Sequence, residues 1–228
     1  MIGSPHVHHR LTDSTNARAR ELAAAGAPHG TLVTADEQTA GRGRQGRAWS
    51  AAPGEALLMS LLVRAVQPLL PLAAAVAVCE AVAPLEAAIK WPNDVWVGAR
   101  RKLAGILLEG RPQEGWAVIG IGLNVRTRSF PEELRETATS LILEGADTTV
   151  GGAREALIEA LARWIAAPEA EVLAAWRARD ALKGAPVRWA TGEGTAAGIA
   201  DGGALLVETA DGDRLELDAG EVHLERQG

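Results

Sequence analysis

A chain of 228 residues, 47% hydrophobic and 23% charged, has room for one sizeable core with a small appended module and the make-up of an ordinary globular protein. Its 23 Lys and Arg against 29 Asp and Glu leave a net charge of −6, which argues against a broad nucleic-acid surface and confines any anion site to one locality. Residues 1–10 carry no signal-peptide core and the longest apolar run, Pro68 to Val78, is too short for a bilayer, so a cytoplasmic protein with no membrane partner is expected.

In chain order, His6, His8 and His9 lack an acidic partner at ligand spacing and fit a strand or a frayed terminus better than a metal site. Asp13, Ser14, Thr15 and Asn16 are N-cap candidates for a helix over Ala17 to Ala25, stopped at Gly26. Thr31 to Ala35 reads as a strand, Thr39 to Gly54 as a loop and Ala56 to Val63 as a buried strand. The alanine-rich Pro68 to Ala83 reads as a helix ended near Pro84. The single cysteine, Cys79, falls within it as a small apolar core residue with no disulfide partner.

Ile89 to Trp91, Val95 to Val97, Leu103 to Glu109 and Trp116 to Val125 are strand segments so closely spaced that they predict hairpins in a mixed, mostly antiparallel sheet, not repeated βαβ units. Helices over Ala153 to Ala166 and Glu169 to Leu182 follow, then a boundary at Gly184 and Pro186. Val187 to Trp189, Thr195 to Ala200, Ala204 to Glu208, Arg214 to Leu217 and Glu221 to Leu224 are short strands between Gly- and Asp-rich turns, as a small barrel requires. The expected division is a domain over 1–182 and a smaller one over 183–228.

The most informative stretch is Gly41-Arg42-Gly43-Arg44-Gln45-Gly46-Arg47-Ala48-Trp49. Its three guanidiniums repel one another, so the loop is expected to be loosely held until an anion arrives. Arginine's planar fork suits phosphate and carboxylate oxygens, glycine lets the backbone approach a ligand, and Trp49 offers a flat face for a base. Gly41, Gly43 and Gly46 also match a dinucleotide-binding fingerprint, but Ala51-Ala52-Pro53-Gly54 follows where that fingerprint demands a helix. Alone, the loop supports an anion site. A solvated basic loop or a single-strand nucleic-acid contact stays open at this point.

Three further segments narrow the choice: Lys90-Trp91-Pro92-Asn93-Asp94, Arg101-Lys102-Leu103-Ala104-Gly105-Ile106-Leu107 and Gly120-Ile121-Gly122-Leu123-Asn124-Val125. With Ser14-Thr15-Asn16 and the arginine loop, they resemble the biotin–protein ligase family in content, order and spacing, strongly from Ser14 to Val125 and more loosely in the C-terminal strands. The resemblance implies an α/β fold related to class II aminoacyl-tRNA synthetases and lipoate ligases: a mixed sheet flanked by helices, followed by an SH3-like barrel. It implies an enzyme that uses ATP and Mg²⁺ to form biotinyl-5′-AMP and then attaches biotin to a lysine of a carboxylase's biotin carboxyl carrier domain.

Carried over residue by residue, the resemblance makes Lys102 and Arg44 the catalytic pair. Ser14, Thr15, Asn16, Gln38, Arg42 and Gly43, with Arg44 and Lys102, form the biotin set. Arg44, Arg47, Trp49, Lys102 and Asn124 form the ATP set. Asp94 is to orient the acceptor lysine or hold the metal, unless it serves only as a turn acceptor after Pro92; Trp91 reads as core. No protein-only metal site is expected. About a dozen residues before Ser14 leave no room for the DNA-binding domain of many family members, so DNA is not an expected partner. Exposed strand edges could support a homodimer. The alternatives are a lipoate–protein ligase and, from another class, a non-catalytic nucleic-acid-binding module.

Overall fold

The structure, a computed structural model, describes residues 1–64, 66–98, 100–218 and 222–224. In chain order its first elements are β1 (His6–Thr12), α1 (Thr15–Ala24), β2 (Leu32–Gln38), β3 (Ala56–Arg64) and α2 (Leu70–Ala81). Then come β4 (Ala87–Lys90), β5 (Asp94–Val97), β6 (Arg101–Arg111), β7 (Trp116–Asn124), α3 (Val150–Ile165) and α4 (Glu169–Arg177). The remaining strands are β8 (Pro186–Trp189), β9 (Gly192–Ile199), β10 (Leu205–Glu208), β11 (Arg214–Leu217) and β12 (His223–Leu224). Glu221, the start of the last expected strand, lies outside the described residues.

The larger sheet runs β1-β2-β3-β7-β6-β5-β4. Its β1–β2 pair is parallel and its other pairs are antiparallel, the mixed sheet that the crowded strand segments predict. The smaller sheet, β11-β10-β9-β8-β12, is antiparallel.

The faces of the larger sheet follow from strand alternation. Leu57, Met59, Leu61 and Val63 of β3 point into the main core, where α2 lies. That helix is buried continuously from Leu72 to Cys79, and a helix apolar on every side needs cover on every side. It has it from the sheet, α3 and α4. On the opposite face, Leu62, Trp116 and Val118 pack with Val33 under Ala19 and Ala23 of α1. Continuing along that face of β7, the next two positions are Gly120 and Gly122, and Gly122 pairs with Gly105 of β6. Where the side chains stop, the sheet is left with a hollow beside α1.

The histidine segment takes the strand that was one of its two expected forms, β1, and His6 Nε2 and His8 Nδ1 both bond Thr34 Oγ1, at 2.8 and 2.9 Å. The structure differs from the sequence reading in one element. Helix α4 ends at Arg177 instead of Leu182 because the chain leaves it to cover the outer edge of β4. Ile89 N–H donates to Arg179 O at 2.7 Å and Ala181 N–H to Ile89 O at 3.0 Å.

Candidate active site

The hollow gathers residues from four places: the start of α1, the end of β2, the arginine loop, and the β4–β5 turn with strands β6 and β7. Ser14, Thr15, Asn16, Gln38, Arg42, Gly43, Arg44, Arg47, Trp49, Asp94 and Lys102 all border it. Asn124 does not. It borders an adjoining, wider cleft toward the small sheet, a cleft that Arg47, Trp49, Asp94 and Lys102 share. Asn124 is buried there and its Nδ2 donates to Thr139 O at 2.9 Å.

Polar neutral groups occupy one end. Ser14 sits at the N-cap of α1, yet its side chain makes no capping bond; Asp13 Oδ1 instead accepts the Ser14 N–H at 2.7 Å. Gln38 Oε1 accepts from Thr15 N–H at 2.8 Å and from Thr15 Oγ1 at 3.1 Å. Ser60 Oγ lies 2.8 Å from Thr15 Oγ1 and 2.5 Å from Asn16 Oδ1. The Asn16 amide rests on Gly120, where a Cβ would collide with it. Ser14, Thr15, Asn16 and Ser60 are buried and Gln38 partly so, and the Thr15, Asn16, Gln38 and Ser60 side chains are hydrogen-bonded to one another, as a site for a neutral polar ligand needs.

Cations occupy the other end. Lys102 Nζ lies 2.7 Å from Asp94 Oδ1 and 5.5 Å from the centre of the Trp49 ring. Its backbone is clasped from outside the sheet: Lys102 N–H donates to Thr137 O at 2.7 Å and Lys102 O accepts from Thr139 N–H at 2.9 Å. Lys90 faces Asp94 across the β4–β5 hairpin. Burial pulls the Lys90 ammonium below its usual value; Lys102 and Arg47 pull the same way and Asp94 opposes them. Burial likewise lowers the Arg44 guanidinium, with Asp94 opposing and Arg47 adding to the effect. Several cations therefore crowd around Asp94, an arrangement that a bound anion relieves.

Trp49 closes the space between the two ends. Its ring lies on the glycine floor, so a Cβ at Gly122 would collide with it, and its buried Nε1 has no hydrogen-bond partner in the protein. The loop before it is not splayed as its charge suggests. Gly43 N–H donates to Arg47 O at 2.7 Å, Trp49 N–H to Gly41 O at 3.0 Å, and Arg42 pairs with Glu109 at 3.1 Å. Sequence reasoning counted the repulsion between guanidiniums and missed the carboxylates facing them.

Glu109, Ser60, Lys90 and the glycine floor are the site features that sequence reasoning left without a role. The available signal was parity: on β6, Gly105, Leu107 and Glu109 share a face, and on β7, Gly120 and Gly122 do. Among the described residues, no group of three or more His, Cys, Asp or Glu converges as a metal-ligand set, and no helix is long and apolar enough to cross a membrane.

A mixed sheet with a glycine-floored hollow, flanked by helices and followed by a small antiparallel sheet, is an α/β fold of the biotin protein ligase type. It superposes on the biotin protein ligase from Aquifex aeolicus in complex with biotin and ATP with a TM-score of 0.83 and 28% identity, over 98% of this chain and 100% of that one. The chain belongs to the biotin/lipoate A/B protein ligase family, whose sequence pattern matches residues 8–125, and a biotin protein ligase C terminal domain matches residues 186–224. The biotin--[acetyl-CoA-carboxylase] ligase of Paracoccus denitrificans is 35% identical over 92% of this chain and 97% of its own length. The bifunctional ligase/repressor BirA of Bacillus subtilis is 43% identical over 62% of this chain and 47% of its own length. A Mycobacterium tuberculosis biotin--[acetyl-CoA-carboxylase] ligase is likewise covered over 52% of its length, so the chain spans about half the length of these two curated relatives.

Proposed function

We propose that this chain is a biotin–protein ligase that forms biotinyl-5′-AMP from biotin and ATP and transfers biotin to a lysine of a biotin carboxyl carrier domain. The observation that carries the reading is one pocket with a buried neutral polar set at one end and converging cations at the other. A ureido ring needs paired donors and acceptors, which Ser14, Thr15, Asn16 and Gln38 supply. The dithiolane of lipoate has no use for them, which favours biotin within this family.

In the first step the biotin carboxylate attacks the α-phosphorus and pyrophosphate leaves. Two anions must meet, and Lys102, Arg44 and Arg47 offset their repulsion and the charge that develops on the phosphoryl oxygens. In the second step a lysine, as the free amine, attacks the acyl carbonyl and AMP leaves. Asp94 is the carboxylate suited to orienting that lysine. Mg²⁺ fits as an ion carried largely by the nucleotide phosphates with Asp94 at hand, supplying further charge neutralisation. Trp49 and the adjoining cleft with Asn124 suit the adenosine. Residues 1–182 form the catalytic part in this reading and 183–228 the appended barrel. The protein works in the cytoplasm, and the open edge of β1, with Leu11 56% exposed, is where a second copy would pair.

Pyrophosphate exchange with ATP tests the reading. Biotin should support exchange and lipoate should not; exchange with lipoate alone overturns the choice, and salt-sensitive single-strand binding without exchange favours the nucleic-acid module.

A further inference from the structure

Glu109 has no part in the chemistry above, yet it joins the loop to the polar end of the pocket. It lies on the hollow-facing side of β6 with its side chain 23% exposed, and two cations reach it: Arg42 of the loop at 3.1 Å and Arg20 of α1 at 3.3 Å. Its Oε2 also accepts from Asn16 Nδ2 at 2.8 Å. The partners come from two separate stretches of chain, α1 and the loop, so one carboxylate on β6 ties the loop, the helix and the sheet together.

The carboxylate also decides the direction of the hydrogen bonds behind the pocket. Paired with two guanidiniums, it only accepts, and with a longer 3.4 Å contact from Nδ2 to Leu107 O it gives the Asn16 amide one orientation: Nδ2 toward Glu109 and Oδ1 toward Ser60. Asn16 Oδ1 accepts, so it takes the single proton of Ser60 Oγ, the closer of that hydroxyl's two contacts. The Thr15 proton then has two acceptors in reach, Ser60 Oγ at 2.8 Å and Gln38 Oε1 at 3.1 Å, and Ser60 is the nearer. Thr15 Oγ1 is left with lone pairs, an acceptor at the pocket wall suited to a ligand N–H. Were residue 109 an amide, which both donates and accepts, only the longer contact to Leu107 O would still orient the Asn16 amide, and the sequence of donors and acceptors would be held far more weakly.

We infer that Glu109 is a positioning residue: its charge holds Arg42, and with it the arginine loop, over the pocket, and its acceptor-only carboxylate fixes the hydrogen-bond direction from Asn16 through Ser60 to Thr15. The second half rests on the reading of this pocket as a biotin site; the first half concerns the chain alone.

Hydrogen–deuterium exchange on the ligand-free protein tests the first half. In Glu109→Gln the Gly43 and Trp49 amides should exchange about tenfold faster than in the wild type, the size expected when one charge-assisted contact is lost. Arg20→Ala, which removes the other cation and leaves the Arg42 contact, should leave those amides unchanged, and Glu109→Asp should restore part of the protection. Wild-type exchange at Gly43 and Trp49 in Glu109→Gln overturns the latch, whatever the protein binds. If that variant does not fold, Arg42→Gln breaks the same ion pair from the loop side and is held to the same outcome. Calorimetry with biotin and steady-state adenylation test the second half. Glu109→Gln should weaken biotin about tenfold and raise its KM, with kcat at saturating biotin nearly unchanged. Equal biotin affinity in the two proteins refutes the orienting role. A wild-type protein that binds no biotin refutes the site reading instead and with it the orienting role, and the exchange result on the loop still stands or falls by itself.

Discussion

Lys102 shows how much a single position can carry. Its ammonium meets Asp94 at 2.7 Å and faces the Trp49 ring, and its backbone N–H and C=O are both held by the segment Thr137 to Thr139, so the side chain is aimed before any ligand arrives. In the proposed chemistry that preorganised charge is worth roughly 3 kcal/mol or more. Lys102→Ala is therefore expected to slow pyrophosphate exchange by at least about a hundredfold, while its thermal midpoint stays close to wild type because the side chain is 32% exposed. Near-normal exchange in the folded variant would remove Lys102 from the mechanism. Gly122 makes the opposite argument, from absence of a side chain. A methyl group there drives into the Trp49 ring. Gly122→Ala should displace the ring, shift its fluorescence and weaken nucleotide and biotin together; an unchanged emission spectrum with unchanged affinity sinks this account of the glycine floor. The motif residues were legible in the sequence because each lies in a short run of its own. Glu109 was not, because its bond to Asn16 spans 93 residues and no local pattern announces it.

Elements behave as their neighbours require. The arginine loop reverses through Gln45 and Gly46, with φ of 56° and 75°, and closes through backbone bonds between Gly41 and Trp49. Its glycines were readable as turn material, and its closure was not, since Glu109 and Asp94 arrive from strands far along the chain. Arg44 sits at the start of that turn, held among Asp94 and Arg47 at the cationic end. A mixed anhydride survives only where water is kept out, and a loop that loses its central charge covers it less well. Arg44→Gly is thus expected to release biotinyl adenylate, seen by mass spectrometry as biotin on lysines of bystander proteins well above the wild-type level. Bystander labelling no higher than wild type counts against the loop as a cover. The early end of α4 has the same kind of cause. Nothing between Arg177 and Gly184 breaks a helix in the sequence, yet β4 needs an edge partner, and residues 179–181 supply it.

At the scale of the molecule, the strand-rich middle and the second run of short strands were legible from spacing, but their joining was not. Val187, Ala196, Ile199, Leu205 and Val207 of the small sheet belong to the same buried cluster as α2 and the larger sheet, so one apolar core runs under both. The contact nearest the pocket is Trp91, one residue beyond β4 in the turn that leads to Asp94. Its ring is 2% exposed, as a core tryptophan's is, and its Nε1 donates to Gly203 O at 3.0 Å. Gly203 in turn sits against Leu69 and Leu72 at the head of α2. Arg177 adds a second tie, to Ile199 O at 3.0 Å and Asp201 at 2.8 Å. Trp91→Phe keeps most of the ring and deletes the donor, leaving the Gly203 carbonyl short of a partner. That costs about 1 kcal/mol, or roughly 2–4 °C in Tm for a chain of this length. Wild type and variant should each unfold in a single transition by tryptophan fluorescence and by circular dichroism, with the variant's midpoint lower. Two separated transitions in the wild type would break the argument for a shared core, and an unshifted midpoint in Trp91→Phe would leave the Gly203 bond without a part in it.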